Sequence, residues 1–472
     1  METITLPYWL FVILLVFAAI MVLDRILLPG MRWYLKRRVN RVIDEINTRL
    51  DIEIRPIQFT RRQALIDQLV FDEKVIETIR SYARDRDMPQ AVAQEKARKY
   101  AAEIVPAFNA YIYFRIGYWL AKKLARLVYR VRVGFYDNDR IRKIDTNSSV
   151  VFVMNHRSNM DYVLVSFLVA ERTTLSYAVG EWARIWPLQM LIKAMGAFFV
   201  RRNSHNPLYR KVLERYINIS TRAGVCQAVF LEGGLTKDGT LREPRLGFLD
   251  YMLRDYHPHS DKDIVLIPVG INYDRVIEDR SLVRRLDSSA QKRSAWFVIK
   301  TTAGFVFKNA LLSRKNRWRR FGYASVNFGE PISAKQYCET NHVDFSVLET
   351  EERFMRVASL AGSVMDNIAR VVPVLPVALM SEVLLKNKAS WKSELELKTY
   401  GSERIVQLQS AGAPIDISSS AVESVLGSAL AALTGRGLVE EKDNLFRLKE
   451  SETEIISYYA NSIAHWPALD KR

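Results

Sequence analysis

The sequence predicts an α/β protein: a largely parallel or mixed β-sheet flanked by helices, with an N-terminal membrane anchor and helical N- and C-terminal regions. Three observations support this prediction. Between residues 149 and 328, apolar runs of strand length alternate with segments of helix length. An uncharged apolar segment lies near the N-terminus. The chain has 472 residues, 49% of them apolar, which suffices for a large core and two folded units.

The central region contains six apolar runs that we predict to be strands. Most are continuously apolar, which favours strands that are buried on both faces of a parallel sheet. They are Ser149–Met154, Leu175–Val179, Ala197–Val200, Val225–Leu231, Ile264–Ile271 and Tyr323–Phe328. Helices are expected between several of them, at 159–171, 182–195, 207–223 and 243–256. In such sheets, ligands bind beyond the carboxyl ends of the strands.

The N-terminal segment Ile4–Leu23 has about 20 residues and no charge, which is the length needed to cross a bilayer core. A secretory signal peptide would begin with basic residues, whereas Glu2 stands here and the positive charges follow from Arg25 onwards. The positive-inside rule then predicts a single-pass protein of the cell (inner) membrane with its bulk on the cytoplasmic side. Two distant cysteines, Cys226 and Cys338, agree with a reducing compartment.

Positive charge is in excess: the net charge is +17 and the isoelectric point about 9.7. This balance suits nucleic acid, anionic lipid headgroups or acidic small substrates. Residues 24–100 read as solvated helices close to the membrane. Within 103–130, a stripe of Arg115, Lys122, Arg126 and Arg130 beside aromatic residues predicts either a helix in the headgroup layer or a core helix with one wet face.

The C-terminal part turns helical after Pro373. The segment Ala421–Leu433 reads as an apolar helix, Leu438–Lys449 as two short strands, and 452–466 as a last amphipathic helix, which together look like a small winged-helix unit. The predicted regions are an anchor at 1–23, a helical membrane-proximal region at 24–130, an α/β domain at 131–372 and a helical, winged-helix-like region at 373–472. Such a tail and a basic chain also allow a membrane-tethered nucleic-acid binder. Because residues 421–433 contain no basic side chain, we expect no nucleic-acid partner.

A histidine and an aspartate stand five residues apart, directly after the first predicted strand. His156 follows the strand and Asp161 falls in the first turn of the next helix. An imidazole suits general-base work near neutral pH, and a carboxylate on its second nitrogen fixes the tautomer, as in Ser-His-Asp sites. A substrate hydroxyl can take the place of the serine. The pattern Ser158-x-x-Asp161 is equally a helix cap, so the pair alone is not specific.

Two further blocks end strands. Arg201 and Arg202 follow an apolar strand, and a guanidinium group binds phosphate through paired hydrogen bonds. The segment from Glu232 through Gly233 and Gly234 to Lys237 ends another strand. It offers a carboxylate for a hydroxyl, glycines for close approach of the backbone, and a cation for phosphate. A solvated basic turn and an ordinary glycine-rich turn are the alternatives.

Taken in order, these blocks resemble the glycerolipid acyltransferase superfamily, and more closely its glycerol-3-phosphate acyltransferase branch. The segment 156–162 is similar to the branch's H-R-S-x-x-D-[YF], and 196–202 to G-A-F-F-I-R-R. Residues 232–247 are similar to E-G-G-x4-G-x-L-x2-P-x2-G. The segment 328–332 and the tail 458–465 also resemble this branch. The likeness extends from about residue 100 to 466.

This resemblance implies an enzyme that acylates the sn-1 hydroxyl of glycerol 3-phosphate, with acyl-CoA or acyl-carrier protein as donor and no cofactor or metal. It implies His156 as the base and Asp161 as its partner. The expected acceptor-binding residues are Arg157, Ser158, Arg202, Glu232, Gly233, Gly234 and Lys237. Leu235 departs from the family, which has an arginine there, so lysophosphatidate and dihydroxyacetone phosphate remain alternative acceptors. Anionic membrane lipids are expected partners.

Overall fold

A mixed sheet of eight strands forms the centre of the fold, with the order β1-β7-β6-β2-β5-β3-β4 and with β8 paired to β6. The computed structural model describes residues 62–134, 143–170, 173–180, 188–201, 204–259, 261–286, 321–415 and 419–467, with a few isolated positions. The strands are β1 Arg130–Val133, β2 Ser149–Met154, β3 Ser176–Val179, β4 Phe198–Phe199, β5 Gln227–Phe230, β6 Ile264–Tyr273, β7 Tyr323–Phe328 and β8 Ile332–Ser333.

Parallel pairing dominates the sheet. Strand β2 runs parallel to both of its neighbours, β5 and β6. Strand β7 runs antiparallel to β6 and parallel to β1. The predicted α/β class with a mixed sheet is confirmed. Every residue of β2 and β6 is buried, as the continuous apolar runs predicted, because helices cover both faces of the sheet.

Helices form two layers. One face of the sheet packs against helices from the N-terminal and central parts, in a core shared by Val151, Val212 and Val364. These helices are α1 Arg62–Val70, α2 Glu73–Arg84, α3 Gln90–Ile104, α7 Pro207–Arg222, α8 Gly247–Leu253, α10 Ala334–Asn341 and α11 Thr350–Val371. The other core contains Phe152, Leu164 and Leu379. Its helices are α4 Tyr118–Val128, α5 Met160–Val169, α9 Asp279–Val283, α12 Pro376–Lys386, α13 Glu394–Ser410, α14 Val422–Gly435 and α15 Thr453–Ala460; α6 is Leu188–Ala194.

The N-terminal helices differ from their prediction. Helices α1 to α3 are not solvated all round, because each buries one face, with Ile66, Ile79 and Ala97 in the core. The predicted basic stripe on one helix within 103–130 is wrong at Arg130, which does not lie on the helical segment that carries Arg115, Lys122 and Arg126. Helix α3 ends at Ile104, a π-helix covers Ile112–Gly117 before α4, and Arg130 already belongs to β1.

The C-terminal region forms a helix and a hairpin, as its pattern predicted. Strands β10 Val439–Lys442 and β11 Leu445–Leu448 follow α14, and β9 Lys392–Ser393 pairs with β11. Helices α12 to α15 share one core with the sheet. The four predicted regional boundaries stay predictions.

Length and apolar composition determine whether a helix of the described residues could cross a membrane. Among these residues, no single helix is long and apolar enough to cross a membrane. Helices α11 and α12, which meet at a bend of 90°, are long and apolar enough only as a pair, and by length and composition alone. The predicted anchor at Ile4–Leu23 lies almost wholly outside the described residues, so it stays a prediction.

Candidate active site

Two loops emerge side by side at the carboxyl ends of β2 and β5. The two strands are parallel and Met154 is paired with Phe230, so residues 155–161 and 231–239 leave the sheet at the same edge. Asn155 fastens the first loop to β6, since its side chain donates to the carbonyl of Ile271 at 2.9 Å and accepts from the Ile271 N–H at 2.8 Å.

His156 and Asp161 contact each other. Nδ1 of His156 lies 2.9 Å from Oδ2 of Asp161, and both side chains are buried. The five-residue spacing permits this because α5 begins at Met160, which turns Asp161 back toward the strand end. With Nδ1 held by the carboxylate, Nε2 is the nitrogen that can accept a proton from a substrate.

Asp161 accepts hydrogen bonds on both oxygens. Oδ2 accepts from the backbone N–H groups of Arg157 at 2.7 Å and Ser158 at 3.0 Å, and Oδ1 accepts from the hydroxyl of Tyr273 at 2.5 Å. The same carboxylate therefore supports the turn that leads into α5 and contacts the imidazole, while the predicted catalytic role of the pair stays a prediction.

The His156 ring is enclosed by aromatic rings. It stacks on Phe230, with ring centroids 3.9 Å apart and planes at 26°, and Tyr162 meets it edge-on at 5.5 Å. The carbonyl of His156 accepts from the Thr236 N–H at 3.0 Å, which ties the two loops together. The imidazole is thus fixed in position by packing as well as by its hydrogen bond.

Glu232 lies against the same loop. Its Oε1 accepts from the His156 backbone N–H at 3.2 Å, while Oε2 is buried and has no hydrogen-bond partner in the part of the chain that is described. Burial raises the pKa of Glu232 to about 8, although the His156 N–H and the charges of Arg157 and Arg242 act in the opposite direction. At neutral pH the protonated carboxyl group can donate a hydrogen bond as well as accept one.

The Arg157 side chain is buried, with 1% of its surface exposed, at the junction of the two loops. Its Nη1 donates to the carbonyl of Gly239 at 2.8 Å, and its guanidinium lies 5.3 Å from the ring centre of Tyr458. Nε and Nη2 find no acceptor among the described residues. Unsatisfied buried donors on a cation are costly, and an anionic ligand would satisfy them.

The rest of the second loop is more open. Gly233 has φ +67°, and a Cβ there would stand 2.5 Å from Cδ of Arg245, so both conformation and space favour glycine. Gly234 is buried. Lys237 is exposed, and its Nζ lies 3.4 Å from the carbonyl of Arg285. No hydrogen bond links Lys237 to the His156 loop in the described structure.

The two arginines after β4 were expected to bring one guanidinium to the site. Arg201 instead pairs with Glu103, at 2.9 and 2.6 Å, and lies 5.1 Å from the ring centres of both Tyr100 and Tyr209. This ion pair raises the pKa of Arg201. Arg202 falls outside the described residues, so its predicted role in acceptor binding stays a prediction.

Sequence reasoning missed three residues that contact the site. Tyr273 binds Asp161, Glu278 accepts from the Ser158 hydroxyl at 2.8 Å, and the Tyr458 hydroxyl donates to the Arg157 carbonyl at 3.3 Å. In the sequence, these residues are separated from their partners by 112 to 301 positions. The family-like segment 458–465 was the one available signal. Among the described residues, no group of three or more His, Cys, Asp or Glu side chains could hold a metal ion.

The loop after β2 thus brings a histidine and an aspartate into contact beyond the carboxyl ends of adjacent parallel strands. Consistently, the family profile described as Acyltransferase matches residues 132–272. A second profile, described as Glycerol-3-phosphate acyltransferase C-terminal region, matches residues 308–470. The predicted resemblance to the glycerol-3-phosphate acyltransferase family is confirmed.

Several curated relatives carry that name. The glycerol-3-phosphate acyltransferase of Haemophilus ducreyi is 26% identical over 422 residues, which cover 86% of this chain and 50% of the relative. That of Actinobacillus succinogenes is 27% identical over 417 residues, covering 86% and 49%. The chain therefore spans about half the length of these relatives. The solved 1-acyl-sn-glycerophosphate (LPA) acyltransferase of Thermotoga maritima covers 54% of this chain and 78% of its own, at 16% identity and a TM-score of 0.30, which is too low to bear on the fold.

Proposed function

We propose that this chain transfers an acyl group from a thioester to the sn-1 hydroxyl of glycerol 3-phosphate. The observation that supports this most is the buried pair of His156 and Asp161, 2.9 Å apart, beside the unsatisfied guanidinium of Arg157. A base and a buried cation on consecutive residues of the loop after β2 suit a substrate that carries both a hydroxyl and a phosphate.

In the proposed reaction, Nε2 of His156 takes the proton of the acceptor hydroxyl while its oxygen attacks the thioester carbonyl carbon. The carbon–sulfur bond then breaks, and the leaving thiolate takes the proton from the imidazolium. The products are an ester and a free thiol, so protons and bonds balance. Asp161 stabilises the imidazolium and keeps Nε2 directed at the substrate. No cofactor enters this scheme.

The acceptor phosphate is assigned to Arg157, whose Nε and Nη2 can form paired hydrogen bonds with it. The second oxygen of Glu232 is assigned to an acceptor hydroxyl. Ser158, Gly233 and Gly234 would shape this pocket through the backbone. Arg202 and Lys237 remain candidates for further phosphate contacts, and Leu235 leaves the position of the family arginine apolar.

The donor is proposed to be acyl-CoA or acyl-carrier protein, with the reaction at the cytoplasmic face of the cell membrane. Exposed apolar side chains on the π-helix and α4, Ile116, Trp119 and Leu120, support a membrane-facing surface, and Nζ of Lys123 lies 4.7 Å from the Trp119 ring centre. Cations beside exposed aromatic rings suit anionic lipid headgroups.

Protease added to sealed vesicles with this face outward should digest residues 100–466; protection would contradict the orientation.

The decisive experiment is an acceptor panel with purified protein and one labelled acyl thioester. Glycerol 3-phosphate, dihydroxyacetone phosphate, lysophosphatidate and plain glycerol are compared by kcat/KM. We expect glycerol 3-phosphate to be preferred and plain glycerol to be poor, because only the phosphate can satisfy the Arg157 guanidinium. Preference for lysophosphatidate or dihydroxyacetone phosphate would move the chain to the alternative acceptor, and no transfer to any acceptor would overturn the function.

A further inference from the structure

Glu278 is a buried carboxylate that contacts the histidine loop from a distant part of the chain. It lies five residues beyond the end of β6 and immediately precedes α9. Its Oε2 accepts from the Ser158 hydroxyl at 2.8 Å. Its Oε1 accepts from Asn159 twice, from the backbone N–H at 3.3 Å and from Nδ2 at 3.0 Å. One side chain thus binds two consecutive residues of the turn between His156 and Asp161.

One of the two residues that Glu278 binds, Ser158, also contacts Asp161. The Ser158 N–H donates to Oδ2 of Asp161, the same oxygen that contacts Nδ1 of His156. The Ser158 hydroxyl also accepts from the Met160 N–H at 3.1 Å, at the start of α5. Any movement of Ser158 therefore changes both the backbone donor to Asp161 and the beginning of the helix that carries Asp161.

The neighbouring residue attaches Glu278 to the C-terminal region. Asp279 forms a buried ion pair with Arg436, just after α14, and accepts from the Tyr459 hydroxyl of α15 at 2.6 Å. The same Tyr459 hydroxyl accepts from the Val276 N–H at 3.1 Å. The segment 276–279 therefore contacts the C-terminal region through Val276 and Asp279. Through Glu278 it contacts the histidine loop.

We infer that Glu278 is a positioning residue for catalysis: it sets the geometry of the His156–Asp161 pair by fixing the Ser158–Asn159 turn. The inference rests on the proposed acyl transfer. In the described structure the hydrogen bonds of Glu278 go to Ser158 and Asn159 and not to the imidazole, so its effect passes through Ser158 and Asp161. Its charge is balanced by three donors of the turn, which explains how a carboxylate is accommodated in a buried position.

Two variants test the geometry. Glu278→Ala removes all three hydrogen bonds, and misplacement of a catalytic group by about 1 Å lowers rates by up to about 100-fold, so we expect kcat to fall roughly 10- to 100-fold. Acceptor KM should change less than about threefold, because the Arg157 guanidinium is untouched. Glu278→Gln keeps one acceptor for Asn159 and offers a donor to the Ser158 hydroxyl, so it should restore most of kcat.

A double-mutant cycle separates positioning from general loss of structure. If Glu278 acts through His156, Glu278→Ala should lower kcat less than about twofold in a His156→Ala background, where the base is already absent. Equal factors in both backgrounds would overturn the inference. If Glu278→Ala does not fold, as judged by circular dichroism and thermal unfolding, Ser158→Ala removes the central hydrogen bond from the opposite side and takes its place in the same cycle.

Asp274 provides a matched control four residues earlier. Its buried carboxylate accepts from the backbone N–H groups of Tyr323 at 2.8 Å and Val377 at 3.1 Å, away from the histidine loop. Asp274→Ala should lower the unfolding temperature. It should lower kcat less than about threefold, and by the same factor in the wild-type and His156→Ala backgrounds. A wild-type protein without acyl transfer, or a His156→Ala variant with normal kcat, overturns the proposed function and this inference with it. If His156→Ala lowers kcat as expected but Glu278→Ala lowers kcat by the same factor in both backgrounds, this inference alone is overturned.

Discussion

The His156–Asp161 pair and the two groups beside it, Glu232 and Arg157, differ in how far their polar atoms are satisfied. In the loop after β2, Asp161 meets the imidazole, two backbone N–H groups and the Tyr273 hydroxyl. By contrast, Oε2 of Glu232, in the loop after β5, is buried without a partner in the described structure, and so are Nε and Nη2 of Arg157, which follows His156 in the loop after β2. The hydrogen bonds of Asp161 are complete within the protein, while those of Glu232 and Arg157 are not.

This difference separates two tasks. Orientation of a base requires a fixed hydrogen-bond network before substrate arrives, because reorganisation during the reaction would add to the barrier. Recognition of a charged acceptor requires donors that the protein itself leaves unsatisfied, since their desolvation is then offset only by the correct ligand. Changes at His156 or Asp161 should therefore lower kcat, and changes at Arg157 should raise acceptor KM.

The largest effect is expected from His156→Ala. Loss of general-base catalysis should lower kcat by roughly 100-fold or more, with a smaller change in acceptor KM. Initial rates at several acceptor concentrations measure both constants. His205→Ala removes an exposed histidine and should leave both unchanged. Near-normal turnover in a folded His156→Ala protein would contradict the assignment of the base.

The acceptor side is tested by Arg157→Lys, which retains the charge but loses the planar pair of donors. A hydrogen bond to a charged group contributes roughly 1.5–3 kcal/mol, so acceptor KM should rise about tenfold or more while kcat changes less. Arg201→Lys is the matched control, because Arg201 is paired with Glu103. Equal rises in acceptor KM for both variants would show that the Arg157 guanidinium is not a special contact.

Tyr273→Phe removes one support of Asp161 and leaves the rest of the loop intact. Oδ1 of Asp161 would lose its 2.5 Å donor while remaining buried. We expect kcat to fall about three- to tenfold and the free energy of unfolding to decrease by about 1–3 kcal/mol. Tyr129→Phe, which removes a hydroxyl bonded to the Arg275 carbonyl at 2.8 Å, should lower stability without the loss of kcat. If both variants lower kcat alike, the Tyr273 hydroxyl has no particular role.

Glu232 should make stability depend on pH. Its pKa is raised from the ordinary value of 4.5 to about 8, so the folded state favours the protonated form. The contribution to stability is fully present below about pH 4.5 and is lost as pH rises through about 8. Glu232→Gln lacks this ionisation, so its unfolding temperature should approach and then exceed that of the wild type as pH rises from 5 to 9. Parallel curves for the two proteins would refute the raised pKa.

The smallest effect is expected at Lys237. The side chain is exposed, and surface cations interact weakly, so Lys237→Ala should change acceptor KM less than about threefold. Leu235→Arg is the reverse test, since an arginine at the family position should lower acceptor KM if the loop geometry is shared. A large rise in KM for Lys237→Ala would mean that Lys237 has replaced the missing arginine.

Elements with strong local signals could be predicted from sequence. Strands Ser149–Met154 and Tyr323–Phe328 have the predicted bounds, because each apolar run ends at a polar residue or glycine. The contact of His156 with Asp161 also follows from local geometry. Tyr273 and Glu278 could not be predicted, since their contacts depend on β6 lying beside β2, and strand order leaves no periodic trace in the sequence. The same holds for the antiparallel insertion of β7 and for the pairing of Arg201 with Glu103.

The contact between Tyr458 and the Arg157 carbonyl joins residues 301 positions apart. Because a chain grows at about 5–20 residues per second, roughly 15 to 60 s separate the synthesis of these two residues on the ribosome. Throughout that interval the nascent chain already carries His156 and Asp161 but lacks Tyr458 and Tyr459. We therefore expect a ribosome-bound chain to be inactive until α15 has left the exit tunnel, so that acyl thioesters meet a working catalyst only after translation has passed this helix.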